Sequence, residues 1–155
     1  MRLYLVGVGK LRPPLREVTD DYLRRLGRVL TVEEREAREA GQASTPELRR
    51  GQEDERVLRL IPEGTDITLL DVGGTGWSSE LLATHLQRWR ESARDRALVI
   101  GGADGVGSAV RARATERWSL GPLTLPHEMA RLIVAEQLYR AAMILQGHPY
   151  HRGTE

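Results

Sequence analysis

Positions 2–8, Arg-Leu-Tyr-Leu-Val-Gly-Val, are mostly apolar and end at a Gly-Val-Gly-Lys stretch (7–10) followed by Pro13 and Pro14, which predicts a buried first strand. Beyond the prolines, Leu15, Val18, Tyr22, Leu23, Leu26 and Val29 recur at helical spacing with Arg and Asp on the other faces. That pattern predicts an amphipathic helix lying on a sheet. Leu30, Val32 and Glu34 predict a half-exposed second strand, and the polar residues 34–45 a mobile segment. Thr45 ahead of Pro46 and Glu47 is a helix start, because a Thr oxygen caps the first turn and Pro fits inside it. A charged helix is expected from there to about Leu60.

The second half alternates more plainly. Residues 66–72 predict a strand, Gly73, Gly74 and Gly76 a loop, and Ser79 through Leu82, Leu86 and Trp89 a helix. The rhythm repeats with a strand at 96–100, a loop carrying Gly101, Gly102, Gly105 and Gly107, a short helix at 108–114 and a strand at 117–120. Residues 121–126 then lead into a long helix from about Glu128 to Gln146, and the chain closes on His-Pro-Tyr-His-Arg-Gly-Thr-Glu. Alternating β and α elements predict an α/β fold with a largely parallel sheet flanked by helices. With 155 residues and no linker, repeat or low-complexity stretch, one domain over 1–155 is expected.

Composition narrows the function. The longest apolar-rich stretch, 129–145, is broken by Arg131, Glu136 and Arg140, which excludes a membrane-spanning helix there. The short apolar run at 3–8 has no cleavage site behind it, so a cytoplasmic location is expected. The absence of cysteine removes disulfides, thiolate metal sites and cysteine nucleophiles together. With 23 basic against 22 acidic side chains, bulk charge gives no pull toward nucleic acid, and any RNA contact must be local.

In a parallel α/β sheet ligands bind beyond the carboxyl ends of the strands, so the glycine-rich segments after Asp71, Ile100 and Leu120 are the first candidates for a site. A nucleotide loop at 7–10 fails, because the third glycine would fall on Arg12 and no Gly-Lys-Ser or Gly-Lys-Thr follows. No Gly-x-Ser-x-Gly elbow supports a serine nucleophile. His148 and His151 lack a completing carboxylate, so no metal is expected, and His85 reads as a solvated residue on a polar helix. Glu136 and Arg140, four apart on the last helix, read either as a surface ion pair or as a polar pair at the edge of a site, since their neighbours are apolar.

Five segments go further: Leu-Leu-Asp-Val-Gly-Gly at 69–74, Val-Ile-Gly-Gly-Ala-Asp-Gly at 99–105, Trp-Ser-Leu-Gly-Pro-Leu-Thr-Leu-Pro-His at 118–127, Arg-Leu-Ile-Val-Ala-Glu-Gln-Leu-Tyr-Arg-Ala at 131–141 and His-Pro-Tyr-His-Arg at 148–152. In this order and spacing the chain closely resembles the bacterial ribosomal RNA large subunit methyltransferase H family of the SPOUT superfamily. The resemblance runs the whole length, is weakest over 33–55, and departs at 103–104, where Ala-Asp stands in place of Pro and an acid. It implies a C-terminal trefoil knot, which ordinary chain topology would argue against. It further implies S-adenosyl-L-methionine as methyl donor, and N3 of pseudouridine 1915 in helix 69 of 23S rRNA as target.

Carried over by motif, the donor contacts are Leu70, Gly102, Gly121, Pro122, Leu123, Thr124, Leu125 and Pro126. Apolar walls and close backbone suit an adenine and a sulfonium. The target N3 carries an imide proton that must leave. Within the resemblance, the tail residues Tyr150, His151 and Arg152, with Glu136 and Arg140, are expected to serve transfer: His151 as proton acceptor or positioning group, Arg152 as an RNA or anion contact. Family members are typically homodimers with the site completed across the interface, here expected on the apolar face of the last helix. Near-zero net charge favours a structured partner, the assembled 70S ribosome, over free RNA. Two alternatives stay open: a SPOUT methyltransferase acting on tRNA, and a non-catalytic ribosome-binding protein of the same fold.

Overall fold

A computed structural model describes residues 1–152, with side chains through Tyr150. The elements in chain order are β1 (Arg2–Val8), α1 (Pro13–Leu26), β2 (Thr31–Ala37), α2 (Pro46–Arg59), β3 (Asp66–Gly76), α3 (Ser79–Ser92), β4 (Arg96–Ile100), α4 (Ser108–Arg113), β5 (Ala114–Ser119) and α5 (His127–Leu145), followed by a 3₁₀ turn at Pro149–Arg152. The five strands form one sheet in the order β2-β1-β4-β3-β5, and every neighbouring pair is parallel. All five carboxyl ends therefore reach one edge.

Strand periodicity divides the core into two layers. From β1, Leu3 and Leu5 join Leu98, Leu82, Leu86, Val134 and Leu138 in the layer holding α1, α3 and α5. The intervening Tyr4, Val6 and Val8 join Val57, Ile67, Leu69, Val99 and Val110 in the layer holding α2 and α4. The apolar stripe of α5 (Val134, Leu138, Ala141) is buried in the chain's own core and is not open to a second copy, contrary to the expectation of an interface there.

Local chemistry starts and stops the helices. Pro13 and Pro14 occupy the first positions of α1. Thr45 Oγ1 accepts from the Leu48 N–H at 3.2 Å to open α2, and Ser78 Oγ accepts from Leu81 at 3.0 Å to open α3. Helix α4 lacks a cap of its own. Its first free N–H groups, on Gly107 and Val110, donate to the two oxygens of buried Asp54 on α2 at 2.8 and 3.0 Å.

Several sequence expectations are corrected. The first helix stops at Leu26 rather than continuing to Val29. The segment expected to be mobile begins as strand: β2 continues to Ala37, because Glu34 and Glu36 accept from the buried Arg131 at 2.8 and 2.6 Å. Beyond it, Ala40 is buried and its N–H donates to Glu53 at 3.1 Å. The glycines at 73–76 lie within β3, not in a loop after it. Leu70 and Thr75 both pair with Trp118, so residues 71–74 are looped out as a bulge. Gly74 is needed there, since a Cβ would stand 2.7 Å from the Arg117 carbonyl carbon. Strand β5 starts at Ala114, three residues earlier than its apolar pattern suggests.

Candidate active site

A cavity of about 640 Å³ opens at the carboxyl ends of β3, β4 and β5. Three segments build it: the bulge after Leu70, the turn 101–105, and the stretch 120–126 that enters α5. Of the donor contacts expected from the motifs, Leu70, Gly102, Gly121, Leu123, Thr124, Leu125 and Pro126 line it, whereas Pro122 does not. The 101–105 turn closes on itself through a Gly105 N–H to Gly102 O bond of 3.0 Å, with Gly105 at φ +75°. Outside the cavity, Asp104 is fixed by Arg49 at 2.8 Å, and that guanidinium holds the carboxyl below its usual range. Asp104, the acid of the 103–104 pair, thus ties the turn to α2.

Sequence reasoning missed several cavity residues. Trp118 and His127 line it, and Trp118 Nε1 and His127 Nδ1 are both buried without a hydrogen-bond partner in the protein. Buried polar atoms are rarely left so. Both rings border the cavity while the two nitrogens themselves are shielded, so what Trp118 and His127 offer a ligand there is flat apolar ring surface. The signals were a Trp on an inward strand position and a His at the first turn of the last helix. Behind Trp118 stands Trp77, with ring centroids 5.3 Å apart and planes at 10°, and His85 stacks on Trp77 at 3.7 Å. His85 is therefore packed, not solvated, because α3 turns this face to Trp77, the residue just past β3. Burial pushes its imidazole below the usual range, against the pull of Glu116. Asp71 also lines the cavity. Its carboxyl is held low, first by the hydrogen bond from Arg111 at 2.7 Å and also by the Gly73 N–H, against desolvation.

The residues expected to serve transfer gather elsewhere. Arg140 donates to Glu136 Oε1 from Nε at 3.0 Å and from Nη2 at 2.7 Å. The Tyr150 hydroxyl donates to the same carboxylate oxygen at 3.1 Å and also contacts the Tyr22 hydroxyl. Arg140 Nη1 reaches the Tyr150 carbonyl at 3.4 Å. Burial raises the Tyr150 phenol well above its ordinary range, as do its Tyr22 contact and the Glu136 charge, so it stays protonated. The pair at 136 and 140 is half-buried and holds the tail. None of Glu136, Arg140 and Tyr150 lines the cavity. On α5, Glu136 and Arg140 stand about 9 and 15 Å beyond Ala130, the last cavity residue, at 1.5 Å per residue. The side chains of His151 and Arg152 lie outside the described residues.

Among the described residues no cluster of three metal-ligating side chains occurs, and no helix is long and apolar enough to cross a membrane. A family model described as "Predicted SPOUT methyltransferase" matches residues 1–151. The chain is 41% identical to the ribosomal RNA large subunit methyltransferase H of Hahella chejuensis, covering 98% of this chain and 99% of that one. It is 43% identical to that of Azotobacter vinelandii, covering 98% and 100%. Among solved structures it is similar to a Legionella pneumophila methyltransferase structure in complex with bound S-adenosylmethionine, with TM-score 0.50 and 14% identity, covering 94% of this chain and 66% of that one. It is also similar to a methylase-family protein of Haemophilus influenzae, with TM-score 0.54 and 11% identity, covering 99% and 70%. These two likenesses concern the fold alone. Identity above 40% along nearly the whole length, on a parallel α/β sheet whose cavity gathers the motif residues, makes the chain a member of the SPOUT methyltransferases and of their ribosomal RNA large subunit methyltransferase H family.

Proposed function

We propose that this chain, as one domain over residues 1–155, uses S-adenosyl-L-methionine to methylate N3 of pseudouridine 1915 in helix 69 of 23S rRNA. It acts in the cytoplasm on the assembled 70S ribosome, as a homodimer, and its C-terminal segments close a trefoil knot. The observation that carries the reading is the cavity itself: it brings seven of the eight carried-over donor contacts together at the carboxyl ends of β3, β4 and β5.

When bound, S-adenosylmethionine supplies an electrophilic methyl group on a sulfonium. Leu70, Gly102, Gly121 and residues 123–126 would hold it by backbone and apolar contact, with the rings of Trp118 and His127 completing the wall. The apolar walls keep water from the reacting centre. Tyr150 is protonated and engaged with Glu136, so it positions the tail and takes no proton. Arg140 clamps the same tail through the Tyr150 carbonyl. That leaves His151 to accept the imide proton and Arg152 to contact RNA. Because Glu136 and Arg140 sit about 9 to 15 Å along α5 from the cavity, the tail of a second chain is the natural group to complete the site.

The test is methylation of 70S ribosomes lacking the modification, with the product mapped by mass spectrometry and the enzyme sized by sedimentation. Methyl transfer to that N3, greater on ribosomes than on protein-free RNA, is expected from a species of about 35 kDa, twice 17.4 kDa. Transfer to tRNA, an active monomer, or equal turnover on protein-free RNA contradicts the corresponding part.

A further inference from the structure

Beside the cavity, joined to it through Asp71, stands a charged cluster outside the carried-over donor contacts. Asp71 accepts from Arg111 Nη1 at 2.7 Å and stands 3.9 Å from Arg117 Nη1. One carboxylate thus faces two guanidiniums and leaves the cluster with a net positive charge. Arg111 comes from α4 and Arg117 from the edge strand β5, and their side chains are 41% and 53% exposed. Asp71 is largely shielded and is held ionised by its partners, which makes it an anchor for both arginines. A guanidinium has five N–H donors, so a single contact to Asp71 leaves most of them directed outward.

Beside this cluster lie the two most exposed large apolar side chains among those described, Leu123 at 75% and Val72 at 68%. Both line the same cavity. Fixed cations next to an apolar shelf match a nucleotide, which presents a phosphate and a flat base or ribose face. A chain with net charge +1 has to concentrate cations locally to hold a polyanion. We infer that Arg111 and Arg117, oriented by Asp71, grip the RNA phosphate flanking the target nucleotide, while Val72 and Leu123 support that nucleotide at the entrance to the donor cavity. The inference rests on the functional reading above and adds positioning residues on the side of the site away from the tail.

The experiment compares wild type with the Arg111→Gln/Arg117→Gln pair, Arg117→Gln alone, and the Arg111→Lys/Arg117→Lys pair. Steady-state methylation of 70S ribosomes is measured over a range of KCl. Donor affinity is read by calorimetry, and mass and melting by sedimentation and calorimetric scans. For the double Gln variant, KM for ribosomes is expected to rise about tenfold or more with kcat within about twofold, since ground-state and transition-state binding fall together. The slope of log(kcat/KM) against log[KCl] should become shallower by about 0.7, the value for one lost single-strand phosphate contact. Arg117→Gln, which removes no close ion pair, should show about half that change, and the Lys pair should restore the slope but only part of the KM. Donor affinity and oligomeric state should match wild type.

Unchanged KM and salt slope overturn the proposal. A loss of donor affinity instead assigns the arginines to the donor's own carboxylate, and a fall in mass assigns them to an interface between copies; either result also overturns it. A wild-type chain that binds S-adenosylmethionine yet methylates no ribosomal RNA removes the functional reading first, so the two failures are distinguishable.

Discussion

Three glycines in one turn should tolerate alanine to different degrees, for three separate physical reasons. A Cβ on Gly101 would stand 2.8 Å from the Gly105 carbonyl carbon and 3.1 Å from its Cα. Both are backbone atoms, and the turn is held from outside by Arg49 on Asp104 and by Asp54 on the Gly107 N–H. Relief requires opening the turn and losing the Gly105 N–H to Gly102 O bond. Overpacking at about 1–3 kcal/mol plus about 1 kcal/mol for the hydrogen bond gives roughly 2–4 kcal/mol. Even the lower figure corresponds to about 30-fold in donor affinity. Gly105 has open space around its missing Cβ but sits at φ +75°, which costs an alanine about 1–2 kcal/mol and donor affinity about tenfold. A Cβ on Gly102 would meet Val8 Cγ1 at 3.0 Å and Cβ at 3.3 Å. A side chain can yield by a few tenths of an ångström, so a loss of only a few-fold is expected. Isothermal calorimetry with S-adenosylmethionine on folded variants should therefore rank the losses Gly101→Ala, then Gly105→Ala, then Gly102→Ala. Equal losses at all three, or Gly102→Ala as the most damaging, would refute the assignment of the damage to backbone contact and backbone dihedral.

A second expectation concerns Arg131, fully buried, whose Nε would lie 2.6 Å from a Cβ on Gly7. Gly7→Ala and Arg131→Ala should each destabilise, the latter by about 3 kcal/mol because Glu34 and Glu36 lose a buried partner but keep Arg16. Chemical denaturation of the double variant should show a cost below the sum by about 1 kcal/mol or more, and strict additivity would count against the contact. His85, depressed by burial, binds its proton more readily when unfolded, so its contribution to stability is complete above the unfolded value near 6.5 and is lost as pH falls below it. His85→Gln should therefore melt with a shallower dependence on pH between about 7 and 5.5 than wild type, and parallel curves would contradict this. Donor titration should change tryptophan fluorescence through Trp118, and Trp118→Phe should remove most of that change; a full signal from the variant would place the donor away from the ring. Removing residues 148–155 should leave donor affinity within about tenfold, or 1.4 kcal/mol, while transfer falls by on the order of 10² or more. A truncated chain transferring at the native rate would remove the tail from the mechanism.

What the chain disclosed in advance was local. Strands β1, β3 and β4 were visible because their apolar residues are buried on both faces, and the cavity segments because glycine and proline mark where backbone must turn closely. The continuation of β2 was hidden for the opposite reason. Glu34 and Glu36 look solvent-facing, and the group that buries their charge is Arg131, 97 and 95 residues further on. His85 misled because its helix neighbours are polar, while the ring that covers it comes from Trp77, in the turn between β3 and α3. The glycines at 73–76 announced flexibility, yet at Gly74 the requirement is the approach of the Arg117 backbone from the adjacent strand. The misses at Glu34, Glu36 and Gly74 are contacts between segments distant in sequence, and that at His85 is a stacking across the turn between β3 and α3; periodicity records neither.

The separation between donor cavity and tail follows from a different kind of information. His127, Ala130, Glu136 and Arg140 lie on one unbroken helix, and a helix is a ruler of 1.5 Å per residue. Once Ala130 is found at the cavity and Glu136 and Arg140 at the tail, the distance of about 9 to 15 Å is fixed by their spacing in the sequence. Packing does not shorten it, because Val134, Leu138 and Ala141 lock the intervening turns into the core. Tyr150 then pins the tail to the far end of that span through Glu136. The N3 that takes the methyl group must come within about 3–3.5 Å of it, and the group that takes the imide proton must come within hydrogen-bond reach of N3, which under the proposed function favours a proton acceptor supplied by a second chain. Under the proposed pairing of two chains, α5 is then the spacer between the donor cavity of a copy and the tail that the same copy offers to its partner.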